Sequence, residues 1–148
     1  MRVIYNIAMV QIKALLFVLK FFNSKINDNY IWIHVASLGE YEQGLPIFKE
    51  IKSLYKNHKI VLSFFSSSGY EVRKNNPISD LTVYLPLDTS RNAKKFISLI
   101  NPKMVFFVKY EFWPNYLQNL NNNNIPTFLL AGLFRKNHWF FKWYGLEF

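Results

Sequence analysis

The chain has 148 residues, the size of one domain and enough to bury roughly two-thirds of its unfolded surface in a single core. Hydrophobic residues make up 51% and aromatics 19%, which excludes intrinsic disorder, and the lack of cysteine excludes disulfides, thiol chemistry and cysteine-bound metal. Eighteen Lys and Arg against nine Asp and Glu give a formal charge of +9, a field that favours phosphates on nucleic acid, nucleotide, phospholipid or glycolipid without choosing among them.

Residues 1–22 are mostly apolar and contain no helix breaker, which predicts a helix of about 30 Å. At about 100° per residue, Arg2, Asn6, Lys13 and Lys20 fall in one narrow sector, a basic stripe on an apolar cylinder. Such a helix suits the membrane interface, because spanning the bilayer would hold Lys13 near its centre at a cost of about 2.5–3.5 kcal/mol. Packing of this amphipathic helix on the protein's own core is the alternative. Residues 23–30 read as a short linker, and 31–148 as one domain.

From Ile31 the chain alternates strand-length apolar runs with helical patterns. The runs are Ile31–Ala36, Lys59–Phe65, Thr82–Leu85, Lys103–Val108 and Thr127–Ala131, and most are continuously apolar, as in strands buried on both faces of a parallel sheet. Helical spacing covers Tyr41–Lys56, Ser67–Lys74, Thr89–Ile100 with Asp88 or Thr89 as its cap, and Trp113–Asn122 with Pro114 in its first turn. The pattern predicts an α/β fold, a Rossmann-like parallel sheet with flanking helices. In the common strand order 3-2-1-4-5, ligands bind beyond the carboxyl ends of the adjacent first and fourth strands.

Two carboxylates fall at those ends. Ser37-Leu38-Gly39-Glu40 follows the first strand, and Lys109-Tyr110-Glu111 follows the fourth, so Glu40 and Glu111 are expected to face one crevice. A carboxylate at such a loop is a candidate general base. The plainer readings are a Glu40 that complements the helix macrodipole and a Glu111 paired with Lys109 or another base. Gly39 and Gly44 allow close approach of a ligand, or serve a turn or helix packing. Ser66-Ser67-Ser68-Gly69 after the second strand sets hydroxyls at a helix start, an anion site or an ordinary cap. His34, inside an apolar strand, reads as a core histidine. The segment from Phe134 to Phe148, with Arg135, Lys136, Trp139 and Trp143, reads as an aromatic and basic cluster, either interfacial or packed on a further domain. His34, His58 and His138 lack ligand spacing, so neither metal nor cofactor is expected. Nucleic-acid binding, motivated by charge and aromatics, ranks last, because no nucleic-acid motif accompanies them.

Together the blocks resemble one family. Ile31-Trp32-Ile33-His34-Val35-Ala36-Ser37-Leu38-Gly39-Glu40 with Glu42-Gln43-Gly44, then Ser66-Ser67-Ser68-Gly69-Tyr70-Glu71, Tyr84-Leu85-Pro86-Leu87-Asp88 and Lys109-Tyr110-Glu111-Phe112-Trp113-Pro114-Asn115, are similar in kind and order to the Kdo (3-deoxy-D-manno-octulosonic acid) transferases. The resemblance implies the N-terminal, acceptor-binding domain of a GT-B glycosyltransferase of lipopolysaccharide synthesis, which transfers Kdo from CMP-Kdo to a lipid A precursor. It implies Glu40 as the general base and Glu111 as the stabiliser of the transition state. Acceptor-binding candidates are Ser37, Gly39, Gly44, Ser67, Ser68, Lys109 and Arg135. The expected place is the cytoplasmic face of the inner membrane. The C-terminal donor-binding domain is expected to be absent from the chain, supplied by a separate chain or lost by truncation. In the latter case the chain is a non-catalytic, membrane-surface glycolipid-binding remnant.

Overall fold

The computed structural model describes residues 29–109 and 112–132. The helix expected over 1–22, most of the linker, Glu111 and Arg135 lie outside the described residues.

All six side chains of β1 (Tyr30–Val35) are buried, as an uninterrupted apolar run requires. The strand begins at Tyr30, which the sequence reading had left in the linker. It pairs in parallel with β2 (Lys59–Phe64) on one side and β4 (Pro102–Val108) on the other. The short β3 (Leu81–Tyr84) and β5 (Thr127–Leu130) form the edges, giving the parallel order β3-β2-β1-β4-β5 that the sequence led us to expect.

Strand pleating sends alternate residues of β1 into two separate cores. Ile31, Ile33 and Val35 pack with Tyr41, Phe48 and Ile51 of α1 (Leu38–Leu54) and with Ile60, Leu62 and Phe64, above which α2 (Ser67–Arg73) also lies. On the other side, Tyr30 and Trp32 pack with Phe96, Ile97 and Ile100 of α3 (Ser90–Ile100) and with Tyr116 and Leu120 of α4 (Pro114–Asn122).

Local chemistry sets the helix ends. Thr89 caps α3, its hydroxyl accepting from Asn92 N at 3.2 Å, and Asn101 ends that helix in the left-handed conformation at φ 46°. Asp88, the other candidate cap, instead reaches α4: its carboxylate oxygens accept from Asn115 N and Tyr116 N, each at 3.2 Å. The Tyr116 hydroxyl donates back to the Pro86 carbonyl at 2.9 Å, clamping the loop after β3 to the start of α4.

The first helix begins three residues earlier than its periodicity predicts, because Ser37 and Glu40 form a variant of the capping box that draws Leu38 and Gly39 into the first turn. Pro46 therefore sits in the helix interior, where it has no N–H to offer the Glu42 carbonyl.

Burial raises the phenol pKa of Tyr116, with a further contribution from the Asp88 carboxylate. Burial also raises Tyr84, and it raises Tyr41 against partial opposition from Arg73. An unfolded tyrosine ionises near pH ~10. Above that pH the unfolded chain has shed protons that the folded chain keeps, so stability should fall as pH rises past about 10. Circular dichroism and phenolate absorbance are expected to change together in an alkaline titration. Phenolate signal from all the tyrosines with the fold intact would contradict this.

Candidate functional site

The order of the sheet reverses between β1 and β4, and the carboxyl ends of these neighbours form the place where open α/β sheets bind ligands. Ser37 caps α1 there, its hydroxyl 3.4 Å from Glu40 N. Glu40 turns back toward the end of β1, and its Oε2 accepts from Ala36 N at 2.6 Å, the short distance of a charge-assisted bond. The carboxylate is half-buried at a helix N-terminus, where the macrodipole favours negative charge. Its placement thus comes from backbone contacts at the strand end rather than from a flexible loop.

Ala36 also joins this corner to the next strand. While its N–H holds Glu40, its carbonyl accepts from Ser66 N at 2.8 Å. Ser66 caps α2, accepting from Gly69 N at 3.2 Å, and its hydroxyl lies 3.3 Å from that of Ser68. Ser67 and Ser68 are exposed on this first turn.

The two buried glycines have packing explanations. A Cβ on Gly69 would come within 2.8 Å of Phe64 Cδ1 and 3.0 Å of Leu38 N, so only glycine lets α2 approach the start of α1. A Cβ on Gly44 would collide with the buried ring of Phe48, and Gly44 therefore serves the α1-side core. Gly39 is exposed and has nothing closer to such a Cβ than Ser37 Oγ at 4.0 Å. At the end of β4, Lys109 adopts φ 61°, uncommon for a residue with a side chain, while its N–H donates to Leu130 O at 2.8 Å.

Below the crevice lies a polar chain that sequence reading did not anticipate. The Trp32 indole Nε1–H donates to Ser63 Oγ at 2.8 Å, and the same hydroxyl lies 2.8 Å from His34 Nδ1. The serine hydroxyl thus bridges the two rings, the direction of its bond to Nδ1 being set by the imidazole tautomer. The oriented imidazole then meets Trp113 edge-on, with ring centroids 5.5 Å apart at 84°. His34 is thus a core histidine, as its apolar strand implied, and it reaches the floor of the site. The only sequence signal for the contact was the shared pleat phase of Trp32 and His34.

The described residues bring Ser37, Glu40, Ser67, Ser68 and Lys109 to the carboxyl end of the sheet, whereas Gly44 lies in the core. This is a parallel α/β unit with a carboxylate fixed at its switch point, where open sheets of this kind bind ligands. The sequence of residues 14–143 matches the family described as 3-deoxy-D-manno-octulosonic-acid transferase (kdotransferase), and the chain belongs to that family. It is 39% identical over 88 residues, 59% of this chain and 24% of the relative, to the 3-deoxy-D-manno-octulosonic acid transferase of Aquifex aeolicus. It is 33% identical over 102 residues, 68% of this chain and 24% of the relative, to the enzyme of that name from Haemophilus influenzae. A bifunctional glycosyltransferase/methyltransferase of Fusobacterium nucleatum is 29% identical over 114 residues, 75% of this chain and 18% of the relative. The chain spans about a quarter or less of the length of these curated relatives.

Proposed function

We propose that this chain supplies the acceptor-binding, N-terminal half of a GT-B Kdo transferase of lipopolysaccharide synthesis. In this reading the phosphorylated sugar of a lipid A precursor enters the crevice beyond β1 and β4. Glu40 takes the proton of the attacking hydroxyl as the oxygen displaces CMP from the anomeric carbon of Kdo with inversion. Glu111, on the segment after β4, stabilises the developing charge. CMP-Kdo is assigned to the part of the family's length that the match does not cover. The observation that carries the reading is the Glu40 carboxylate, held by Ala36 N at the switch point in a member of this family. A transfer assay with CMP-Kdo and lipid A precursor in detergent tests it, using the chain within the full-length protein and a Glu40→Gln control. Product formation insensitive to that substitution would refute the assignment.

The basic, apolar segment 1–22 is proposed to hold the domain at the cytoplasmic face of the inner membrane. Among the described residues, no helix is long and apolar enough to cross a membrane. The full chain is expected to sediment with anionic phospholipid vesicles, and a chain lacking residues 1–22 to stay in solution. Continued sedimentation of the shortened chain would remove the anchor role from that segment.

A further inference from the structure

Two aromatic side chains, one following β2 and one at the start of α4, meet at the carboxyl end of the sheet. Phe65 follows β2 and is 40% exposed, although the strand leading to it is buried. Its ring lies 4.9 Å from that of Trp113 at 58°, the two forming a corner. The indole is braced from below by the edge of His34 and from the side by Tyr116, at 5.5 and 6.5 Å between centroids and close to perpendicular in both cases. The Trp32–Ser63–His34 chain sets the His34 ring, so the corner rests on a fixed base.

The corner and the carboxylate both lie at the carboxyl end of the sheet, one toward α4 and one at the start of α1. Ser63 packs toward Trp32 and α3, Phe64 belongs to the α1-side core, and the next alternation returns Phe65 to the α3/α4 side. Glu40 stands at the start of α1, on the other side of the sheet. A single residue links the two, with Ala36 N–H on Glu40 and Ala36 O on the N–H of Ser66, the residue next to Phe65.

We propose that Phe65 and Trp113 form a stacking platform for the acceptor's pyranose ring, a deepening of the acceptor reading above on which it rests. The C–H face of a pyranose is apolar and carries partial positive charge, which complements the negative face of an aromatic ring. Stacking that face on the corner leaves the ring's hydroxyl edge free to turn toward Glu40. Phosphate recognition alone would call for cations and backbone donors and gives no role to an exposed phenyl ring.

The test is calorimetric titration of the full 148-residue chain with a bisphosphorylated, unacylated glucosamine disaccharide, and in parallel with inorganic pyrophosphate. Saturation-transfer NMR then identifies which sugar protons meet the protein. Phe65→Ala is expected to weaken disaccharide binding about tenfold, to abolish transfer to the ring C–H protons, and to leave pyrophosphate binding unchanged. Phe65→Tyr should restore the disaccharide. Because Phe65 is partly exposed, both variants are expected to melt close to the wild type, which a thermal scan checks. Equal disaccharide binding by wild type and Phe65→Ala would overturn the platform and leave the acceptor reading standing. A wild-type chain that binds pyrophosphate but not the disaccharide would overturn both.

Discussion

Trp32→Ala is expected to cost about 3–5 kcal/mol of folding stability, a large part of the roughly 5–15 kcal/mol that separates a domain from its unfolded state. The indole has no exposed surface. It meets the rings of Phe96, Phe107 and Tyr116 at 5.1, 5.4 and 5.7 Å, so it joins β1 to β4, α3 and α4 at one point. Truncation leaves a cavity among elements that cannot all close on it and deprives the Ser63 hydroxyl of its donor. Trp32→Phe keeps most of the volume but loses the N–H, and should cost less, about 1–3 kcal/mol. Urea titrations of the three proteins order them. An alanine variant with the wild-type midpoint would show that this indole does not organise the α3/α4-side core.

Glu40→Gln is expected to lower Kdo transfer by the full-length protein about 100- to 10,000-fold, the usual contribution of a positioned general base, while leaving stability almost unchanged. The separation follows from the geometry. Glu40 Oε2 accepts from Ala36 N, and a carboxamide oxygen can accept the same bond while the side chain no longer takes up a proton. Glu40→Ala loses that bond as well and should cost about 1 kcal/mol of stability in addition, as for a lost helix cap. Kinetics and melting of the two variants therefore distinguish a base from a structural cap. Near wild-type transfer by the glutamine variant, with alanine merely destabilised, would leave Glu40 as a capping residue only.

The plain macrodipole reading of Glu40 and its catalytic reading are thus compatible in one geometry. The bond that anchors the helix start also aims the carboxylate. The family blocks likewise have structural explanations for some of their residues. Asp88 and Asn115 occur in separate blocks that lie far apart in the chain, and the Asp88 carboxylate accepts from Asn115 N in the fold. Gly44 and Gly69 are set by the rings of Phe48 and Phe64.

Sequence alone determined the class of the fold. Continuous apolar runs such as Ile31–Val35 can be satisfied only by burial on both faces, and their alternation with amphipathic helices implies parallel strands joined by crossovers. The cap of α3, narrowed to Asp88 or Thr89, and the common strand order were legible for the same reason, since each depends on short-range pattern or on a topology that chain connectivity strongly restricts. Tertiary structure decided which distant groups meet: Asp88 with α4, Ser63 between Trp32 and His34, and Phe65 against Trp113. Residue spacing along a strand or helix states which face a side chain occupies. The partner waiting on that face is chosen by the packing of elements far apart in sequence, where no local periodicity records it.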